Sequence, residues 1–191
     1  MKIIGVLGDI GSGKSFISKK FNSPVFDADK EVSKIYNNNY SCYKKLNKIF
    51  PQTIKQFPIS KKELIKVILK SSKNLKKIIK IVHPLVRVEM YKFLKKNKKK
   101  KLVVLDIPLI LENKLNQKNF ILIYINSDAK KIKSKIKKRK NFNKTIYKEL
   151  KKLQFPLKKK KKLANYIIHN DFKMKNTLKN VKLIKNKILE K

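Results

Sequence analysis

The chain has 191 residues, with 52 lysines and arginines against 12 aspartates and glutamates, a formal net charge of +40. The length suits one domain with a sizeable core, and a hydrophobic fraction of 41% argues against wholesale disorder. No apolar run approaches the roughly 18 residues that span a bilayer, and one cysteine, Cys42, excludes an internal disulfide or a cysteine-built metal site.

In chain order, residues 2–7 read as a short buried strand running straight into a glycine-rich turn at 8–13, unlike a signal peptide. Residues 14–21 open an amphipathic helix with Phe16, Ile17 and Phe21 as inner contacts, and Pro24 stops it. Residues 24–29 read as a second strand ending in carboxylates. Helical spacing over 30–50 is interrupted by the Asn37–Asn39 turn signal. Pro51 and Pro58 bracket a loop, and Ser60 with Glu63 forms a capping box opening another helix. A helix over 74–96 has Pro84 as a break or an N-terminal position, and residues 95–101 are a solvated connector. Residues 102–110 and 121–126 are apolar runs, the pattern of parallel strands buried on both faces. Helices follow at 128–140 and 143–154, separated by a basic turn; 158–162 is a lysine run, 165–169 a last strand, and 174–190 a closing helix with Leu178, Val181, Ile184 and Ile188 inside. Strands alternating with helices imply an α/β fold: a five-stranded parallel sheet flanked by helices.

Charge is the first functional question. A strongly basic chain invites a nucleic-acid reading, because lysine neutralises phosphate. Only Arg87 and Arg139 are arginines, however, and arginine is the residue whose fork reads phosphates and bases bidentately. Heavy use of Lys, Ile and Asn with few Arg, Gly and Ala is compositional drift of the kind AT-rich codons supply, so no specific nucleic-acid partner is expected. The rare residues then carry the information. All four glycines lie within the first thirteen residues, and Asp27, Asp29 and Glu31 fall within five positions.

Gly8-Asp9-Ile10-Gly11-Ser12-Gly13-Lys14-Ser15 matches the phosphate-loop pattern in full, after a strand and before a helix. Glycines let successive N–H groups turn inward on phosphate oxygens, and the following helix adds its positive end. Lys14 reaches the β- and γ-phosphates, and the Ser15 hydroxyl ligates Mg²⁺. Phe26-Asp27-Ala28-Asp29 ends a strand, where ligands of open α/β sheets bind. One aspartate there can orient or deprotonate an acceptor hydroxyl while the other caps the next helix; the alternative is that both cap that helix. Leu102–Asp106 has the form of a segment that supports Mg²⁺ through Asp106.

These segments, with HPLVRVEM at 83–90, LDIPLILEN at 105–113, Gln154 and LANYIIHND at 163–171, stand in the order and spacing of the dephospho-coenzyme A kinases, which the chain resembles along its length. The resemblance implies a phosphate-loop kinase that phosphorylates the ribose 3′-hydroxyl of dephospho-coenzyme A with ATP and Mg²⁺, the last step of coenzyme A biosynthesis. Apart from the resemblance, the single cysteine makes a reducing cytoplasm the default compartment, and the oligomeric state is left open with a monomer favoured. The kinase core would be about 1–54, 101–129 and 163–191, with a helical substrate-binding insertion near 55–100 and a lid near 130–160. The resemblance implies Asp29 as catalytic base, Lys14 and Arg139 as the other catalytic residues, and ATP contacts from Gly8 to Phe16 and from Asn170 near the adenine. Substrate contacts would come from Asp29, His83, Arg87, Pro108 and Leu109, although His83 also reads as structural. Another small-metabolite or nucleoside-monophosphate kinase is the alternative, and a basic nucleic-acid-binding protein with a relic phosphate loop is a third.

The chain departs from that family at several positions. Leu7 replaces a common Thr, and Asp9 replaces a Gly or other small residue. Asp9 should weaken anion binding unless it points to solvent. The second lid arginine is absent, with Lys133 or Lys135 as substitutes. Asn165 replaces an acid before the last strand, and Lys160 occupies the family's basic position six after the glutamine.

Overall fold

The computed structural model describes residues 1–116, 119–139 and 142–190. Among them the chain divides into two compact units, one of residues 1–27, 96–142 and 151–191 and the other of residues 28–95 and 143–150.

The first unit is built on five strands: β1 (Lys2–Gly8), β2 (Val25–Asp27), β3 (Leu102–Asp106), β4 (Phe120–Ser127) and β5 (Tyr166–Asn170). They pair in parallel in the order β2-β3-β1-β4-β5, as the apolar runs required. Central β1 sets Ile4 against Val104 on one side and Ile121 on the other. Its helices are α1 (Lys14–Lys20), α6 (Ala129–Lys137), α8 (Leu157–Lys162) and α9 (Met174–Leu189). Ile4, Val6, Val104, Ile123, Ile125 and Ile168 pack on one face of the sheet with Ile17 and Phe21 at α1 and Val181, Ile184 and Ile188 of α9. Burying a side chain of this size stabilises by about 1.5–3 kcal/mol before entropy is counted. Strand alternation sends Ile3, Gly5 and Leu7 to the opposite face. Gly5 is therefore a packing residue of β1 rather than part of the turn: a Cβ there would stand 2.9 Å from the Ile110 side chain.

The second unit contains α2 (Ala28–Asn38), α3 (Tyr40–Ile49), α4 (Lys61–Lys70), α5 (Ser72–Lys96) and most of α7 (Lys144–Lys152). Asn39 separates α2 from α3 and caps the latter, its Oδ1 accepting from Cys42 N–H at 2.8 Å. Ser60 and Glu63 form the expected capping box. Buried residues Leu64, Val67, Leu75, Ile78, Val82, Val86 and Met90 line the inner faces of α4 and α5.

Several expectations need correction. The second strand ends at Asp27, and α2 begins at once with Ala28, so Asp29 lies in a first helical turn, not at a strand end. Pro84 neither breaks nor starts a helix. It is exposed within the 25-residue α5, where the loss of one backbone hydrogen bond is offset by the buried face that continues through Leu75, Ile78, Val82, Val86 and Met90 on either side. The apolar run at 102–110 stops being strand at Asp106, and the lysine run at 158–162 lies within helix α8, with Lys160 buried. Phe16 and Leu178, expected inside, are 40% and 41% exposed. Lys140, in the expected basic turn after α6, lies outside the described residues.

Candidate functional site

The loop between β1 and α1 begins at the carboxyl edge of the central strand, where an open parallel sheet holds its ligands. Its turn depends on glycine at two places. Gly11 has φ +83 and Gly13 φ +92, in the left-handed region, and Gly13 is also the residue from which α1 starts. At Gly13 a Cβ would lie 2.5 Å from Asn170 Nδ2.

Two outside side chains fix the loop. Ser127 Oγ, at the end of β4, and Asn170 Nδ2, at the end of β5, both donate to the Ser12 carbonyl at 2.9 Å. The Asn170 amide oxygen accepts from Phe172 N–H at 3.0 Å and Thr177 Oγ1 at 3.1 Å, so the buried amide is oriented from both ends. Lys14, nearly buried, donates from Nζ to the carbonyls of Gly8 (3.2 Å) and Asp9 (2.6 Å). Ser15 and Phe16 are exposed on the loop's open side.

Beside the loop lies a cleft of about 610 Å³, within the size range of small-molecule sites. Gly11, Gly13, Phe16 and Asn170 line it together with Lys135, Lys138, Arg139, Phe172, Met174 and Thr177. Lys135 Nζ sits over the Phe172 ring, 4.7 Å from its centre. Two phenyl rings, a thioether and three cations around the mouth of a phosphate loop suit a ligand with a planar aromatic part and a polyphosphate. Sequence reasoning brought Arg139, Phe16 and Asn170 to this place and missed Lys138, Phe172, Met174 and Thr177. The signal for Lys135 was its position one helical turn before Arg139; Lys133 does not line the cleft.

Asp9 does not point to solvent. Both of its carboxylate oxygens take the Lys151 ammonium at 2.5 Å, and Oδ1 also accepts from Ile10 N–H at 2.7 Å. Burial foremost, and the Asp9 carboxylate second, push the Tyr124 hydroxyl above its usual range. At the next strand, Asp106 is buried and stands in register with Asp27. An exposed Ser15 hydroxyl and a strand-end carboxylate at Asp106 are hard oxygen donors, the set that suits Mg²⁺, and no cluster of three acidic, His or Cys ligands occurs among the described residues. Mg²⁺ typically takes one or two carboxylates and completes its shell with phosphates and water.

Pro108 and Leu109 lie half-buried in the turn after β3. Glu112, further along that segment, has a side chain only 8% exposed; its Oε1 takes Lys160 Nζ at 2.8 Å and Phe155 N–H at 2.7 Å, and Gln154 Oε1 accepts from the same ammonium at 3.2 Å. The second unit carries the remaining predicted residues: Asp29 in the first turn of α2, His83 half-buried on α5, and Arg87 exposed one turn later.

The family model of the dephospho-CoA kinases matches residues 2–176. The chain belongs to the dephospho-CoA kinase family. That match includes every predicted site residue, from Gly8 to Asn170. A dephospho-CoA kinase of Wolbachia sp. subsp. Brugia malayi is 37% identical over 132 residues, 66% of this chain and 68% of that one. Two solved structures share the fold. One from Thermus thermophilus has a TM-score of 0.78 at 22% identity, covering 99% of this chain and 97% of its own. A dephospho-CoA kinase from Campylobacter jejuni has 0.66 at 21%, covering 98% and 97%. Members of this family are ATP-dependent kinases, which accounts for a phosphate loop beside a basic, ring-lined cleft.

Proposed function

We propose that this chain transfers the γ-phosphate of ATP to the ribose 3′-hydroxyl of dephospho-coenzyme A. The observation that carries the reading is the complete phosphate loop opening on a cleft that Arg139, Lys135 and two phenyl rings line, in a chain of the dephospho-CoA kinase family.

In this reading the loop from Gly8 to Phe16 binds the triphosphate through its N–H groups. Lys14 leaves the Gly8 and Asp9 carbonyls for the β- and γ-phosphates. Ser15 and Asp106 hold Mg²⁺, which supplies charge neutralisation on those phosphates when bound. Phe16 and Phe172 flank the base beside Asn170, and Arg139 offers its fork to the charge that builds on the transferred group. Asp29 accepts the acceptor hydroxyl's proton as that oxygen bonds to the γ-phosphorus and the bond to the β-phosphate oxygen breaks, releasing ADP. Its support is its place in the Asp-Ala-Asp segment, at the first turn of α2 directly after β2. His83 and Arg87, one helical turn apart, and Pro108 with Leu109 are the proposed acceptor contacts, within the helical insertion near 55–100 and after β3. The lid is the segment near 130–160. We place the reaction in the cytoplasm with the chain as a monomer; no helix among the described residues is long and apolar enough to cross a membrane.

Purified protein with ATP, Mg²⁺ and dephospho-coenzyme A, followed by product mass, tests the reading. It should gain one phosphate on dephospho-coenzyme A and none on nucleoside monophosphates; the reverse preference overturns it. Asp29→Asn should lose about 10²–10⁴-fold in kcat, the range for a positioned base, and still bind ATP. A fully active variant removes Asp29 from that role.

A further inference from the structure

We propose that Lys151 is the counter-charge this chain supplies to Asp9, and that ATP affinity depends on the pair. This rests on the ATP-dependent reading above. Asp9 is the second residue of the phosphate loop, and its carbonyl receives the Lys14 ammonium at 2.6 Å. A carboxylate so placed acts in two harmful ways. It repels a polyanion, and it offers Lys14 a permanent partner in place of the phosphates.

Turning the side chain away does not solve the problem. Asp9 is bound to Ile10 N–H at 2.7 Å, and its side chain is 13% exposed. The remaining solution is neutralisation, and both carboxylate oxygens meet Lys151 Nζ. Lys151 lies 142 residues away in sequence, so nothing local to the loop provides this charge. With Asp9 and Lys151 cancelling, Lys14 is left as the net positive charge of the loop. Part-burial keeps the pair from being fully screened by salt.

The test uses four versions of the full chain: wild type, Asp9→Asn, Lys151→Met and the double variant. Asparagine keeps an acceptor for Ile10 N–H and removes only the charge. ATP affinity is measured by calorimetry without acceptor, and KM and kcat with it. Lys151→Met alone should weaken ATP binding by about tenfold, or about 1.4 kcal/mol, and raise KM for ATP with little effect on kcat. Asp9→Asn should bind ATP more tightly than wild type. The double variant should recover to within about twofold of Asp9→Asn, the non-additivity expected of groups in contact. An equal loss from Lys151→Met in both backgrounds overturns the proposal, because Lys151 would then act on phosphate or on the fold directly. No loss in either background overturns it as well. Failure of wild type to bind ATP overturns the kinase reading instead, and ATP binding without phosphorylation of dephospho-coenzyme A overturns only the acceptor.

Discussion

Replacing Lys160 with methionine should destabilise the first unit far more than the same change two residues earlier. Lys158 is exposed, whereas the Lys160 side chain is 1% exposed and pairs with Glu112, whose side chain is 8% exposed. Both substitutions delete one positive charge from a chain of net charge +40, so long-range charge effects are matched. Without Lys160, the Glu112 carboxylate keeps only Phe155 N–H among the described contacts to Oε1, and its Oε2 has no hydrogen-bond partner. A buried carboxylate stripped of its cation costs about 3–5 kcal/mol. At ~2–4 °C per kcal/mol for a chain of this size, the midpoint should fall by about 10 °C. Lys158→Met should stay within about 0.5 kcal/mol. Urea and thermal unfolding followed by circular dichroism measure both. Glu112→Leu/Lys160→Met should regain most of the loss, because an apolar pair of similar volume dispenses with the desolvation of both charges. Loss of under 1 kcal/mol in Lys160→Met, or a double variant as unstable as the sum of the singles, would refute this account.

Two further substitutions probe the cleft. Gly13→Ala forces a side chain into the left-handed region and against the Asn170 amide, costing about 1–3 kcal/mol of strain at the loop; ATP affinity should fall, and an unchanged affinity in calorimetry contradicts the loop's dependence on that conformation. Arg139→Lys keeps the charge and loses the planar fork, so kcat should drop about tenfold or more while KM for ATP moves less; identical kinetics would make the fork dispensable.

The parts of the molecule that the sequence exposes are those whose causes are local. The phosphate loop is legible because Gly11 and Gly13 occupy left-handed positions that other residues avoid. The strands are legible because a sheet covered on both faces demands unbroken apolar runs. Ser60 and Glu63 announce α4 because a capping box is a four-residue device. What stays hidden depends on distant chain. Nothing in the lysine run itself marks Lys160 as the one that goes inside; only its place six after Gln154 in the family pattern singles it out, and Glu112, from the turn region after β3, supplies the reason. The rule that proline interrupts helices misleads at Pro84, because α5 is held by its buried face on either side. The partner of Asp9 is equally hidden, because Lys151 stands 142 residues away in sequence.

A chain with so many lysines and only 12 acids inverts the usual electrostatic problem. Cations are abundant, so no single exposed lysine is informative, and their summed field steers any polyanion, ATP and dephospho-coenzyme A included. Acids are the scarce component, and a stray one near the phosphate loop would work against that field. Two of the carboxylates that are largely shielded from water, Asp9 and Glu112, each meet an ammonium, Lys151 and Lys160. The lysines that stand out near the phosphate loop and the buried carboxylates are ones that an acid, a carbonyl or a ring holds in place, among them Lys14 on the loop carbonyls, Lys135 over Phe172, and these two on their carboxylates. Arg139 lines the cleft with Lys135 and Lys138, and of the three only the arginine has a planar fork. Specificity in this chain resides in how a few charges are held, against a background that attracts phosphate without discriminating among its carriers.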